Sequence, residues 1–290
     1  MRLVKIVIVI LLLPVSVFCQ ISEEDQEVDD IIDNLLGSDN LINDLIKSTT
    51  NYQMLQVEAN YNDKTYFSGR DIGINQFNFV PQISYMHSKG FFASISGMYY
   101  SEFFPHWDYT SLSVGYGKNF GREQKFYWST SYSRYIYSNE IENPFENAVT
   151  ASISYNSKKK IFGSAIETSF LFGEETSFQL TSTTFIDFKL YEYKELELNI
   201  KPQLEILVAQ QTIEQARIEI KGKKEETSFV EYDEFGLLNT AIKIPIQISY
   251  KSFDVEFGYT LNIPNSLPNE NSMKATGFLN LSLSYTFLFN

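Results

Sequence analysis

Cysteine is almost missing from this chain: Cys19 is the only one, and it lies at the end of a segment marked for removal. Disulfide frameworks and thiolate metal sites are therefore excluded from the mature protein. Histidine is nearly as scarce, and His87 and His106 are not at metal-ligand spacing. With no glycine-rich phosphate loop either, neither a metal nor a cofactor is expected. Basic clusters are lacking too, since 23 Lys and Arg stand against 36 Asp and Glu for a net charge of −13. The one short run, Lys158, Lys159 and Lys160, reads as a solvated turn tip. Nucleic acid is excluded as a partner, because phosphate contacts supply most of that affinity. No long apolar run follows residue 13, which rules out a helical membrane protein.

What is present begins with an export signal. Arg2 and Lys5 precede an apolar run over 6–13, Pro14 breaks it, and Val17 and Cys19 suit the positions three and one before a cut. Residues 1–19 are expected to be removed, leaving Gln20 first; a cut before glutamine resembles Bacteroidota export signals. Lipidation of Cys19 is the rival, but Phe18 stands where a lipobox needs a small residue. Residues 20–50 then carry nine acids and one lysine, with Val28, Ile31, Ile32, Leu35, Leu41, Ile42, Leu45 and Ile46 at helical spacing. Gly37 and Ser38 divide this stretch into two short amphipathic helices, with Ser38 as N-cap of the second. It reads either as a partly disordered acidic tail or as a helix pair that plugs a barrel mouth (Ile31, Ile32, Leu35, Leu41, Leu45) or meets a periplasmic partner.

From residue 51 onward the period switches to two. Twelve strands are expected, over 53–61, 77–86, 91–100, 109–116, 126–137, 148–155, 161–172, 177–190, 195–209, 237–250, 253–263 and 277–289. Most are long enough to cross a bilayer at the usual tilt. Connectors after even strands are compact and those after odd strands mostly long, with 173–176 the short exception. Pro202 and Pro245 lack a ladder donor and are expected to mark bulges or bends. The longest connector, 210–236, is expected to extend strands nine and ten as a β-tongue turning at 221–224, a first candidate for recognising a partner.

The last strand alternates almost without error. Leu279, Leu281, Leu283, Tyr285, Phe287 and Phe289 share one face, and Asn280, Ser282, Ser284 and Thr286 the other, with Leu288 the exception. Ending on an aromatic strand of this kind resembles the C-terminal signature of bacterial outer-membrane β-barrels. The 24 Phe and 19 Tyr suit lipid-facing strands and interfacial girdles. The reading is an all-β chain, a 12-stranded antiparallel transmembrane β-barrel over 51–290 preceded by the short amphipathic helical segment 20–50. Its expected location is the outer membrane of a Gram-negative bacterium.

Alternation also sorts the charges. A charge facing lipid at mid-bilayer costs about 2 to 4 kcal/mol, so charged residues within strands should face the lumen. This assigns Glu58, Glu167, Asp187, Lys189, Glu195, Glu197, Lys201, Glu205, Lys243, Lys251, Asp254 and Glu256 to the lumen, all from strands one and seven to eleven or their edges. Strands three to six supply small polar residues such as Ser94, Ser113, Ser131 and Thr150 instead. The charged wall has two readings: opposite charges pair and stiffen the barrel, or an excess of carboxylates favours cations in an aqueous path.

Three functions follow. The first is a channel for small hydrophilic solutes, akin to the small nucleoside or oligosaccharide channels that the architecture resembles. The second is a plugged barrel serving as a structural or assembly partner, through 20–50 or the loop 210–236. The third is a lipid-modifying hydrolase, for which His106 beside Ser101 and Asp108 is the only raw material. A loop histidine among Phe104, Pro105 and Trp107 reads more simply as part of an aromatic belt, so no enzyme is expected. A calcium site around Asn265, Glu270 and Asn271 lacks the acidic repeat of a calcium loop.

Overall fold

The structure, a computed structural model, describes residues 52–121, 124–138, 145–157, 161–221, 224–266 and 272–289, without the side chains of 211–233. The export signal, the segment 20–50 with Ile31, Ile32, Leu35, Leu41 and Leu45, the Lys158–Lys160 run and most of the weak calcium pattern lie outside the described residues.

One antiparallel sheet closes on itself. Its strands are β1 (Gln53–Asn62), β2 (Asn78–His87), β3 (Phe91–Tyr100), β4 (Trp107–Phe120), β5 (Phe126–Tyr137), β6 (Phe145–Asn156) and β7 (Phe162–Gly173). They continue with β8 (Thr176–Ile186, resumed as Phe188–Tyr193), β9 (Leu196–Ile200, resumed as Gln203–Lys221), β10 (Lys224–Tyr250), β11 (Phe253–Pro264) and β12 (Thr276–Phe289). Each pairs with its chain neighbours, and β1 pairs with β12 from Gln53↔Phe289 to Asn62↔Asn280. Closure leaves no free sheet edge along the wall, the condition for strands to cross a bilayer. The described elements are all strands, and the expected helical segment 20–50 lies outside the described residues.

Alternation sets the two faces. On β10, Ile244 is 47% exposed whereas Ala241 is 2% exposed, and the same contrast recurs around the cylinder, as with Val57, Ile83, Ile95, Val114, Ile153, Ile166, Phe257 and Leu283 outside. Side chains of this kind covering an entire outer surface need an apolar medium rather than water. Closed antiparallel barrels with an even strand number and an apolar exterior are the architecture of bacterial outer-membrane proteins. The chain is a multi-pass β-barrel of that membrane.

The short turns after the even strands occupy one end, and the two-residue link between β7 and β8 is the short one at the other. Lys194 and Lys251 (φ 55° each) take the left-handed conformation that two-residue hairpins require, and Gly90 (φ 97°) does so after β2. These turns correct two lumen assignments: Glu195 and Lys251 sit in the turns rather than in strands, where they pair with each other at 3.3 Å. Two strands expected to be continuous are broken at one height, β8 at Asp187 and β9 at Lys201 and Pro202. Pro202 has no N–H to give the ladder, and its carbonyl accepts from Ile186 N instead, at 3.1 Å. Pro245 behaves differently. It stays in ladder opposite Gly258 within an unbroken β10, and its carbonyl accepts from Lys201 N at 3.1 Å. The β-tongue forms as a continuous ladder from Gln203↔Lys243 to Lys221↔Lys224, with one shift between Leu207 and Val208.

Candidate lumen site

The inner surface has two unlike walls. On β3 to β7, hydroxyls pair across neighbouring strands: Ser96 with Ser111 (3.0 Å), Ser113 with Ser133 (2.7 Å), Ser129 with Ser152 (2.7 Å) and Thr150 with Ser169 (2.9 Å). A hydroxyl both donates and accepts, so each pair satisfies itself without importing charge. Aromatic rings fill the spaces left by glycines on this side. A Cβ on Gly115 would collide with Phe92 and with the Thr130 carbonyl, one on Gly117 with Tyr127, and one on Gly163 with Phe185. At the short-turn end Met54 and Met86 are buried against Tyr52 and Phe92, forming an apolar floor under β1 to β3.

The other wall, β8 to β12 with β1, carries charge. Lys243 Nζ meets Glu205 at 2.7 Å, and Lys189 Nζ lies 3.4 Å from Glu197 and 3.1 Å from Glu192. Lys201 is 7% exposed, and its ammonium sits 4.1 Å from the centroid of the Phe185 ring. Glu58 Oε1 accepts from Asn60 Nδ2 (2.7 Å) and from Ser282 Oγ (3.5 Å). Asp187 occupies the break in β8, where its N–H donates to the Ile161 carbonyl at 2.8 Å. Glu167 stands apart, in ladder between Ser152 and Thr181 on the hydroxyl side. Glu256 lies between Gln247 and Ser282. Asp254 Oδ1 accepts from Ser249 Oγ and Gln247 Nε2.

A cavity of about 460 Å³ opens on this wall. Glu58, Lys201, Lys243 and Glu256 line it, together with Asp254 and a set of amides: Gln56, Asn60, Asn62, Gln203, Gln247 and Asn280. Glu167, Asp187, Lys189, Glu197 and Glu205 are not among its lining residues. Gln203, Gln247 and Asn280 share the inward polar faces of their strands with the charges, and Gln56, Asn60 and Asn62, which carry no charge to mark them, share with Glu58 the even positions of β1.

A strap crosses the long-loop end above the cavity. The segment after β1 makes a small hairpin, Tyr66–Phe67 with Arg70–Asp71, and reaches both sides of the mouth. On one side Phe67 packs on Tyr100 and Phe103 (6.1 and 6.4 Å between centroids). On the other, Arg70 Nη2 donates to the Asn265 carbonyl (3.2 Å) and the Gly69 carbonyl accepts from Thr276 Oγ1 (3.3 Å). Tyr66 lies 5.9 Å from Phe278, which lines the cavity. Gly69 takes φ 77°, and a Cβ there would collide with the Asn239 amide on β10, so only a glycine lets the tip dock. Nothing in the sequence of 62–76 announced this; it is a tertiary contact between segments far apart in the chain.

The residues considered for hydrolysis are occupied otherwise. His106 Nδ1 is 3.1 Å from the Tyr100 carbonyl, and its ring lies near Tyr99 and Phe104. Ser101 Oγ accepts from Phe77 N at 3.2 Å. Among the described residues no hydrogen bond joins His106 to Ser101 or Asp108, and no cluster of three or more His, Cys, Asp or Glu side chains suits a metal.

No known family model matches the chain, and no curated protein does. Among solved structures it is similar to the KdgM porin at 11% identity and TM-score 0.43, over 81% of this chain and 99% of that one. It is similar to the NanC porin at 8% identity and TM-score 0.45, over 80% and 98% of the two chains. LpxR from Salmonella typhimurium is alike to a comparable degree, at 11% identity and TM-score 0.42 over 80% and 100%. These likenesses are faint.

Proposed function

We propose that the protein is a channel for small hydrophilic solutes across the outer membrane, with a lumen that leans acidic. The observation that supports this reading is the polar cavity inside a lipid-facing cylinder. Its lining holds three carboxylates (Glu58, Asp254, Glu256) against two lysines, and Lys243 is already neutralised by Glu205. Carboxylates on an aqueous path attract cations and repel anions. The test is current through planar bilayers under a salt gradient, for the mature chain and for a chain lacking 20–50. A cation-selective current is expected. Current only after the deletion makes 20–50 a plug, built on Ile31, Ile32, Leu35, Leu41 and Leu45. Identical currents remove that role, and no current from either form sinks the channel.

A second reading, a barrel held shut and serving as an assembly partner, is favoured by the strap across the mouth and by the tongue. Beyond Gln210 and Phe235 the tongue ladder has no neighbouring strand on either edge among the described residues. An unpaired edge is a template for adding a strand from a protein partner. Co-purification lost on deleting 211–233, with negligible current, is its expected signature.

A further inference from the structure

Among the described residues, three lysines of the charged wall and its edge have carboxylate partners. Lys243, Lys189 and Lys251 each lie within 3.4 Å of a glutamate. Lys201 is the most deeply buried of the four, yet among the described residues no carboxylate comes within ion-pair distance of it. Asp187 acts on it only from further off. The face of Phe185 offsets part of the desolvation of this ammonium, but a ring takes none of its three N–H donors as a carboxylate would. The position is fixed by backbone, because Lys201 N donates to the Pro245 carbonyl at the break in β9.

Across the same cavity stands a carboxylate with capacity to spare. Both hydrogen bonds to Glu58 fall on Oε1, and among the described residues Oε2 has no partner. Strands β9 and β1 are four places apart in the sheet, about 19 Å of wall at roughly 4.8 Å per strand. Because both residues line one cavity on a curved wall, we take the gap between their charges to be on the order of 10 Å. That is the length of two or three extended residues at about 3.5 Å each. The lining between them includes the amides of Gln247 and Asn280, able to donate to carbonyls and accept from N–H groups, beside Lys243, Asp254 and Glu256.

We propose that this cavity binds short zwitterionic peptides, carboxylate toward Lys201 and ammonium toward Glu58. The proposal rests on the channel reading and names its solute class. An anion would meet Glu58, Asp254 and Glu256, and a cation would meet Lys201. A neutral sugar would leave both charges desolvated without a partner. Only a solute carrying both charges compensates both ends.

The experiment compares trialanine with its N-acetylated form (anion), its C-terminal amide (cation) and maltose (neutral), in two measurements on the full mature protein. Isothermal titration in detergent reads binding, and block of ion current in planar bilayers reads access to the path. Trialanine is expected to bind about tenfold more tightly than either capped form, equivalent to ~1.4 kcal/mol. Lys201→Met and Glu58→Gln are each expected to abolish that preference, and Lys201→Arg to keep it, which separates charge from packing. Heat-modifiable gel mobility checks that each variant folds. Equal or absent binding of all four probes overturns the proposal, and an intact salt current beside it leaves the channel standing. Binding of trialanine with no current from any form supports the site and overturns the channel.

Discussion

The two walls of this barrel solve the same problem differently. Both must present polar groups inward while lipid covers the outside. The β3 to β7 wall does so with hydroxyls that satisfy one another and rings seated over glycines, and no lining residue of the cavity comes from it. The wall formed by β8 to β12 with β1 uses amides and charges, is interrupted at Asp187 and Lys201–Pro202, and faces the cavity. Self-satisfied groups close a wall, and groups with spare bonding capacity leave it ready for a solute. The difference is one of hydrogen-bond accounting, since neither wall is more polar in kind than a lumen requires.

The largest effect should come from carrying the charge of the second wall through to its other side. Ile244 faces outward near the middle of the part of β10 that pairs with β11 (Asn239–Tyr250), one residue from the inward Lys243. Ile244→Arg is expected to cost about 2 to 4 kcal/mol of folding stability, measured by urea titration in lipid vesicles. A cost below 1 kcal/mol would mean that this face does not meet lipid. Next is the hydroxyl wall, where Gly115→Val must displace Phe92 or the Thr130 carbonyl. Overpacking of this kind costs roughly 1 to 3 kcal/mol, and pairing it with Phe92→Ala should recover part of the loss.

Much of this contrast was legible in the sequence because a sheet has a period of two. Twelve strands, the sorting of long and short connectors, the tongue and the apolar outer face all follow from local pattern. Glu195 was placed in a strand because a strand end and a tight turn look alike until the backbone at Lys194 is seen to be left-handed, and Lys251, already in a turn, was given a lumen face by carrying the alternation one residue too far. The breaks at Asp187 and Lys201 were half visible, through Pro202, while Pro245 gave the same signal and produced no bulge. What the pattern does not carry is pairing at a distance. Alternation says that Lys201, Lys243 and Glu205 are on strands that face inward, and only the register shows that Glu205 takes Lys243 and leaves Lys201 with a ring. The strap is further out of reach, since Gly69 and Asn239 are joined by three-dimensional proximity alone.

A middle-sized effect tests the pairing on the charged wall. Glu205→Gln leaves Lys243 without its carboxylate at a half-exposed site, so solvent limits the cost to about 1 kcal/mol. Its sharper readout is electrical: an uncompensated lysine beside the cavity should move the reversal potential under a salt gradient toward anions. Unchanged selectivity would show that Lys243 lies off the conducting path.

The smallest effect is the most informative about the hydroxyl wall. The Ser113–Ser133 pair, 2.7 Å apart, joins β4 to β5 in the middle of that wall. If the two hydroxyls spend their bonds on each other, removing one leaves the other unsatisfied, at about 1 kcal/mol, and removing both costs little more than removing one. Ser113→Ala, Ser133→Ala and the double variant therefore should not add, with a coupling of about 0.5 to 1 kcal/mol in a double-mutant cycle. Strict additivity would mean that water in the lumen already serves each hydroxyl. In that case the hydroxyl wall would be as open to solvent as the charged one, and the distinction between a closed wall and a receptive one would fail at its plainest point.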